Sequence, residues 1–123
     1  MEALNEKGKS LNGAKVLVLG VAYKKDVDDL RESPALKIIQ LLQEKGAGVI
    51  YNDPYLPKIG KMRHYKISLV SQKLTAKLLK SVDAVLIVTN HTDYDYAFIV
   101  KNAGMVIDTR NAVPKSYPNV VKA

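Results

Sequence analysis

Between Tyr23 and Ser33 the chain carries seven charged side chains: Lys24, Lys25, Asp26, Asp28, Asp29, Arg31 and Glu32. Cations that lead into a helix N-terminus suit a phosphate group, because free backbone N–H groups and the helix dipole add to their charge. Three cations against four carboxylates leave this loop at a formal charge of −1, however, which is not how a plain phosphate cradle is built. Some carboxylates are expected to hold particular cations, for instance Asp29 or Glu32 orienting Arg31. Single aimed cations, rather than the loop as a whole, would then meet an anionic ligand. The competing reading is a solvated charged turn.

Further along, Arg110 follows an apolar run, and its planar guanidinium is suited to bidentate contact with phosphate or sugar oxygens. Its alternative is an ion-pair partner for Asp108 or Asp53. His91 is a candidate base or ligand, or else the cap of a turn. His64 has no visible partners, and two histidines so far apart do not suggest a metal site. Ser33 reads as a helix cap rather than a nucleophile. Asp28 and Asp29 are neighbours in sequence, which is not the arrangement of a convergent acid/base pair.

The elements that must position these residues alternate in type. Lys15–Tyr23 is a nearly continuous apolar run, as expected of a parallel strand buried on both faces. Ser33–Lys45 has a helical stripe of Ala35, Ile38, Ile39 and Leu42, with Ser33 and Pro34 at its start and Gly46 past its end. Gly48–Asn52 reads as a second strand ended by Asp53-Pro54, and Ile67–Val70 as a short edge strand. Gln72–Ser81 is predicted to be a helix, Ala84–Thr89 a strand, Tyr94–Asn102 a helix and Met105–Asp108 a final strand. This alternation implies right-handed βαβ crossovers: an α/β, Rossmann-like three-layer sandwich of about five parallel strands in the order 3-2-1-4-5, with helices on both faces. Ligands of such sheets lie at the carboxyl ends of the strands. There the connections Tyr23–Glu32, Asn52–Tyr55, Asn90–Tyr94 and Asp108–Asn111 emerge.

The 123 residues amount to one domain, with 47% hydrophobic residues and no cysteine. Disulfides, thiolate metal sites and a cysteine nucleophile are therefore excluded within the chain. No apolar run approaches the roughly 20 residues needed to cross a membrane, and the polar N-terminus lacks the apolar centre of a signal peptide, so the expected compartment is the cytoplasm. The net charge of +7 favours anionic partners. The lysines are scattered instead of concentrated in one basic helix, which favours a basic soluble surface over nucleic-acid binding. A dinucleotide fingerprint requires G-x-G-x-x-G and an acid about 20 residues on. Only Gly20 is present, and the acid that ends the second strand, Asp53, is much farther along.

The run Gly20-Val21-Ala22-Tyr23-Lys24-Lys25-Asp26, with Asp29 and Arg31-Glu32-Ser33-Pro34-Ala35, resembles the opening signature of a known domain. This is the C-terminal, UDP-binding domain of the UDP-glucose/GDP-mannose dehydrogenases. The resemblance continues through Asn52-Asp53-Pro54-Tyr55, the Asp83–Thr89 strand with His91, and Asp108-Thr109-Arg110-Asn111, covering roughly residues 4–113. It implies that Tyr23, Lys24 and Arg110 bind a UDP-sugar, and that Arg31 reaches toward NAD held mainly by another domain. Leu30 departs from relatives that carry threonine there. The Val-Asp-Asp-Leu and Ser-Pro-Ala variants resemble enzymes of UDP-N-acetylhexosamines more than those of UDP-glucose.

Members of the family oxidise the sugar C6 alcohol to a carboxylate in two hydride transfers to NAD. Their catalytic cysteine lies in a preceding segment, along with the glycine-rich NAD fold. The resemblance therefore implies no catalytic residue in this chain, which would be an excised and inert C-terminal domain. Residues 1–14 would be the end of an inter-domain helix and 15–123 the UDP-sugar-binding domain. The expected partners are the UDP-sugar and the N-terminal NAD-binding and central helical domains of a homodimeric full-length enzyme, with no nucleic acid and no membrane. The alternative is a free-standing nucleotide-binding or regulatory module.

Overall fold

β1, Lys15–Leu19, is the axis of the molecule, and every residue after Lys15 is buried. It pairs in parallel with β2 (Gly48–Asn52) on one side and with β5 (Ala84–Ile87) on the other. β5 pairs in parallel with β6 (Val106–Asp108), and β6 with β7 (Val120–Lys122), which gives a five-stranded parallel sheet in the order β2-β1-β5-β6-β7. The computed structural model describes residues 13–21, 34–56, 58–59, 69–89, 91, 94–113 and 117–122.

Alternation along the strands sends side chains to two apolar layers. Val16, Val18, Val49, Tyr51, Leu86 and Ile107 join Ala35, Leu36, Ile39 and Leu42 of helix α1 (Pro34–Glu44) in one layer. Leu17, Leu19, Val85, Ile87 and Val106 join Leu79 of α2 (Ala76–Ser81) and Ile99 and Val100 of α3 (Tyr96–Asn102) in the other. Each large aliphatic side chain so buried contributes about 2 kcal/mol of transfer free energy. Helices on both faces make the three-layer α/β fold expected from the sequence. Among the described residues, no helix is long and apolar enough to cross a membrane.

The inner run of strands matches the expected 2-1-4-5 neighbours, and the differences lie at the two edges. Beyond β6 the fifth strand is β7, a three-residue Val-Val-Lys segment too short to carry a period of its own. At the other edge, β4 (Leu69–Val70) pairs antiparallel with β3 (Lys58–Ile59) in a separate two-stranded ribbon. The residues after β4 cover the edge of β2 without forming a ladder: the Gln72 N–H donates to the Tyr51 carbonyl at 2.8 Å, and the Asn52 side-chain amide to the Gln72 carbonyl at 2.6 Å.

That contact also shortens the second helix relative to the expected Gln72–Ser81. Gln72 is committed to β2, and Thr75 caps α2 by accepting from the Leu78 N–H at 3.1 Å. α3 likewise begins after Asp95, whose carboxylate accepts from the Phe98 N–H at 3.1 Å. Tyr94, expected inside that helix, is instead buried before it.

Candidate functional site at the carboxyl edge of the sheet

Two aspartates close strands at the carboxyl edge, and they are used in the same way. Asp53 follows β2 and is 2% exposed; Asp108 ends β6 and is 1% exposed. In each, Oδ1 accepts from the N–H two residues on, Tyr55 at 2.8 Å and Arg110 at 3.1 Å, the side-chain turn that aspartate favours. In each, Oδ2 accepts a backbone N–H, from Val21 at 2.8 Å and from Val113 at 2.9 Å. Oδ2 also meets a basic side chain from another element: His91 Nε2 at 2.9 Å for Asp53, and Lys122 Nζ at 2.9 Å for Asp108.

The Asp53 arrangement ties the ends of three neighbouring strands together. Val21 follows β1, Tyr55 follows β2 and His91 follows β5. The His91 imidazole is fully buried, with the Tyr55 ring centroid 4.8 Å away and that of Tyr94 5.8 Å away. The Tyr94 hydroxyl donates to the Asn52 carbonyl at 2.7 Å, and the Tyr96 hydroxyl to the His91 carbonyl at 3.0 Å. A histidine enclosed in this way holds turns together; it is not presented to a ligand as a base. Burial first, and the Asp53 charge second, push the Tyr51 phenol up to about 12, so it remains a neutral donor to the Leu56 carbonyl at 2.8 Å.

Burial works against the charge on Asp108, but the Lys122 ammonium and the N–H groups of Val113, Ala112 and Arg110 outweigh it. The carboxyl is held below the ordinary value of 3.8. The turn that wraps this carboxylate presents Arg110, which is exposed. Its Nε–H donates to the Val88 carbonyl at 2.8 Å, anchoring the guanidinium to the end of β5. The side chain therefore pairs with neither Asp108 nor Asp53. The two Nη groups make no hydrogen bond or ion pair among the described residues and are available to an anion.

Of the other residues expected at the site, Tyr23, Lys24 and Arg31 lie outside the described residues. Among the described residues no cluster of His, Asp and Glu is arranged for a metal ion. A groove of about 400 Å³ lies beside the end of β2, lined by Asn52, Asp53, Pro54, Val70, Ser71, Gln72 and Lys73.

At the start of the first turn two amides are already bonded: the Gly20 N–H donates to the Asn52 carbonyl at 2.9 Å, and the Val21 N–H to the Asp53 carboxylate at 2.8 Å. Gly20 stands at φ +83° where two strand ends approach closely. A Cβ there would come within 2.5 Å of the Thr89 carbonyl oxygen.

The sequence profile of the UDP-glucose/GDP-mannose dehydrogenase family, UDP binding domain, matches residues 17–115. The chain belongs to this family. Protein CapL of Staphylococcus aureus is 33% identical over 98% of the chain and 28% of its own length. A UDP-N-acetyl-D-mannosamine dehydrogenase of Campylobacter jejuni is 34% identical over 76% of the chain and 23% of its own length. Among solved structures, the UDP-D-ManNAc dehydrogenase of Pyrococcus horikoshii superposes with a TM-score of 0.74 at 27% identity, over 98% of this chain and 27% of that one. The chain thus spans about a quarter of the length of the curated relatives it matches.

Within this UDP-binding domain, sequence reasoning singled out Arg110 but missed the pairing of His91 with Asp53 and the role of Lys122. A usable signal existed for the acids. Asp53 directly follows a strand and Asp108 ends one, and each precedes a turn, a position that favours side-chain-to-backbone capping. Nothing comparable marked Lys122.

Proposed function

We propose that the chain is the UDP-sugar-facing domain of an NAD-dependent UDP-sugar 6-dehydrogenase, which oxidises the sugar C6 alcohol to a carboxylate. In this reading Arg110, Tyr23 and Lys24 bind the UDP-sugar, and Arg31 reaches toward NAD. The dinucleotide is held mainly by another domain, in keeping with Gly20 and Val21 amides that are already bonded. Residues 1–14 end an inter-domain helix, residues 15–123 form the domain, and the partners are the NAD-binding and central helical domains of a homodimer. The UDP-N-acetylhexosamine branch is favoured by the Val-Asp-Asp-Leu and Ser-Pro-Ala variants and by relatives named for UDP-N-acetylmannosamine.

The observation that carries this reading is the Arg110 guanidinium, anchored at Nε and open at Nη on the carboxyl edge of a UDP-binding-domain sheet. Titration of the chain with UDP, followed by amide NMR, is expected to show saturable binding with a Kd of about 1 mM, since the other domains supply the rest of the pocket. Shifts should centre on residues 88–91 and 109–113. Arg110→Ala is expected to weaken binding by about tenfold, as for the loss of a hydrogen bond to a charged group. Unchanged spectra at saturating UDP, or an Arg110→Ala chain that binds as the parent does, would refute the assignment.

A further inference from the structure

We propose that Lys122 is a positioning residue for Arg110, acting through Asp108 and Asn111, so that edge strand β7 sets the geometry of the UDP-sugar contact. The inference rests on the reading of Arg110 given above. Lys122 Nζ lies 2.9 Å from Asp108 Oδ2 and 3.2 Å from Asn111 Oδ1, and it also donates to the Val113 carbonyl. One ammonium therefore holds the acid at the start of the 108–113 turn, the side chain at its apex and the carbonyl at its end. Its three donor hydrogens suit three such acceptors.

The turn needs this support. Asn111 stands at φ 54°, in the left-handed region that asparagine tolerates better than most residues but that still costs energy. Asp108 Oδ1 gathers the Arg110 and Ala112 N–H groups at 3.1 and 3.0 Å, fixing the backbone on both sides of that residue. With its backbone held by Asp108 and its Nε by Val88, Arg110 has little freedom left before the Nη groups. The Lys122 side chain is 39% exposed, so burial does not force the ammonium onto this turn. Exposed lysines ordinarily leave their heads in water. Lys122 lies beyond residues 17–115, the stretch that matches the family profile.

The test uses the whole chain with Lys122→Met and Lys122→Arg, read by two independent signals. The first is hydrogen exchange of the Arg110 Nε–H, protected in the parent by its bond to Val88. The second is the Kd for UDP. Lys122→Met is expected to speed Nε–H exchange at least tenfold and to weaken UDP binding by about tenfold, while β1 and β5 amides keep their exchange rates. Lys122→Arg, which retains the charge and the donors, is expected to restore most of both. Unchanged Nε–H exchange in a natively dispersed Lys122→Met chain would overturn the inference. So would general loss of dispersion, because Lys122 would then support the fold as a whole and not this turn. If the parent itself fails to bind UDP, the functional reading falls, and the Nε–H signal still decides the positioning role.

Discussion

Asp53 and Asp108 hold the functional edge together by doing for two different turns what neither backbone could do alone. A carboxylate offers several acceptor sites, so one side chain gathers N–H groups from its own turn and still meets a base from a distant element. The consequence for pH is specific at Asp108. A carboxyl whose folded pKa lies below its unfolded value binds fewer protons when folded, so its contribution to stability is complete above about pH 4 and disappears as pH falls through the lowered value. Asp108→Asn keeps the shape but loses the charge and turns an N–H₂ toward donors. It is expected to cost about 2 kcal/mol at neutral pH. Urea unfolding of parent and variant from pH 6 down to about pH 2 is expected to show the gap between them narrowing on the acid side. A gap that stays constant to the lowest pH would mean that Asp108 is not ionised against Lys122 in the way its geometry requires.

At the scale of elements, the close approach of the β1 and β5 ends constrains the first turn. Gly20→Ala combines a left-handed backbone with a Cβ 2.5 Å from both the Thr89 Cβ and the Thr89 carbonyl oxygen. It is expected to cost about 3 kcal/mol, the sum of conformational and overpacking penalties. Gly13→Ala is the matched control, because Gly13 has φ +84° with nothing within 4 Å of the added atom, so only the conformational part, about 1 kcal/mol, applies. Equal losses of Tm in the two variants would show that contact with Thr89 plays no part. Elements with a period were readable from the sequence: α1 by its stripe and its glycine, β1 and β5 as apolar runs. Elements that rest on distant partners were not. The start of α2 depends on Gln72 being held by Tyr51, and β7 has no pattern of its own. His91 and Asp53 are 38 residues apart and meet only because β2 and β5 flank β1. Arg110 was readable as a cation after a strand, but the Val88 carbonyl that anchors it was not.

For the whole molecule, the question is how far a single domain of this family can go toward chemistry. The chain has no cysteine, so the cysteine-dependent chemistry that the family resemblance implies has no nucleophile here. The Gly20 and Val21 amides at the start of the first turn are bonded to Asn52 and Asp53. Arg110 is an exposed, anchored cation on a basic molecule of net charge +7, a group equipped to hold an anion. The purified chain, incubated with NAD and either UDP-glucose or UDP-N-acetylmannosamine, is therefore expected to produce no NADH by fluorescence, while UDP still perturbs the 108–113 turn. Sustained NADH formation that follows the chain through purification would contradict this division of labour, and it would require a nucleophile and a dinucleotide site within these 123 residues. Silence in both measurements would leave the inertness intact but remove Arg110 as a substrate contact, so the two arms separate binding from catalysis.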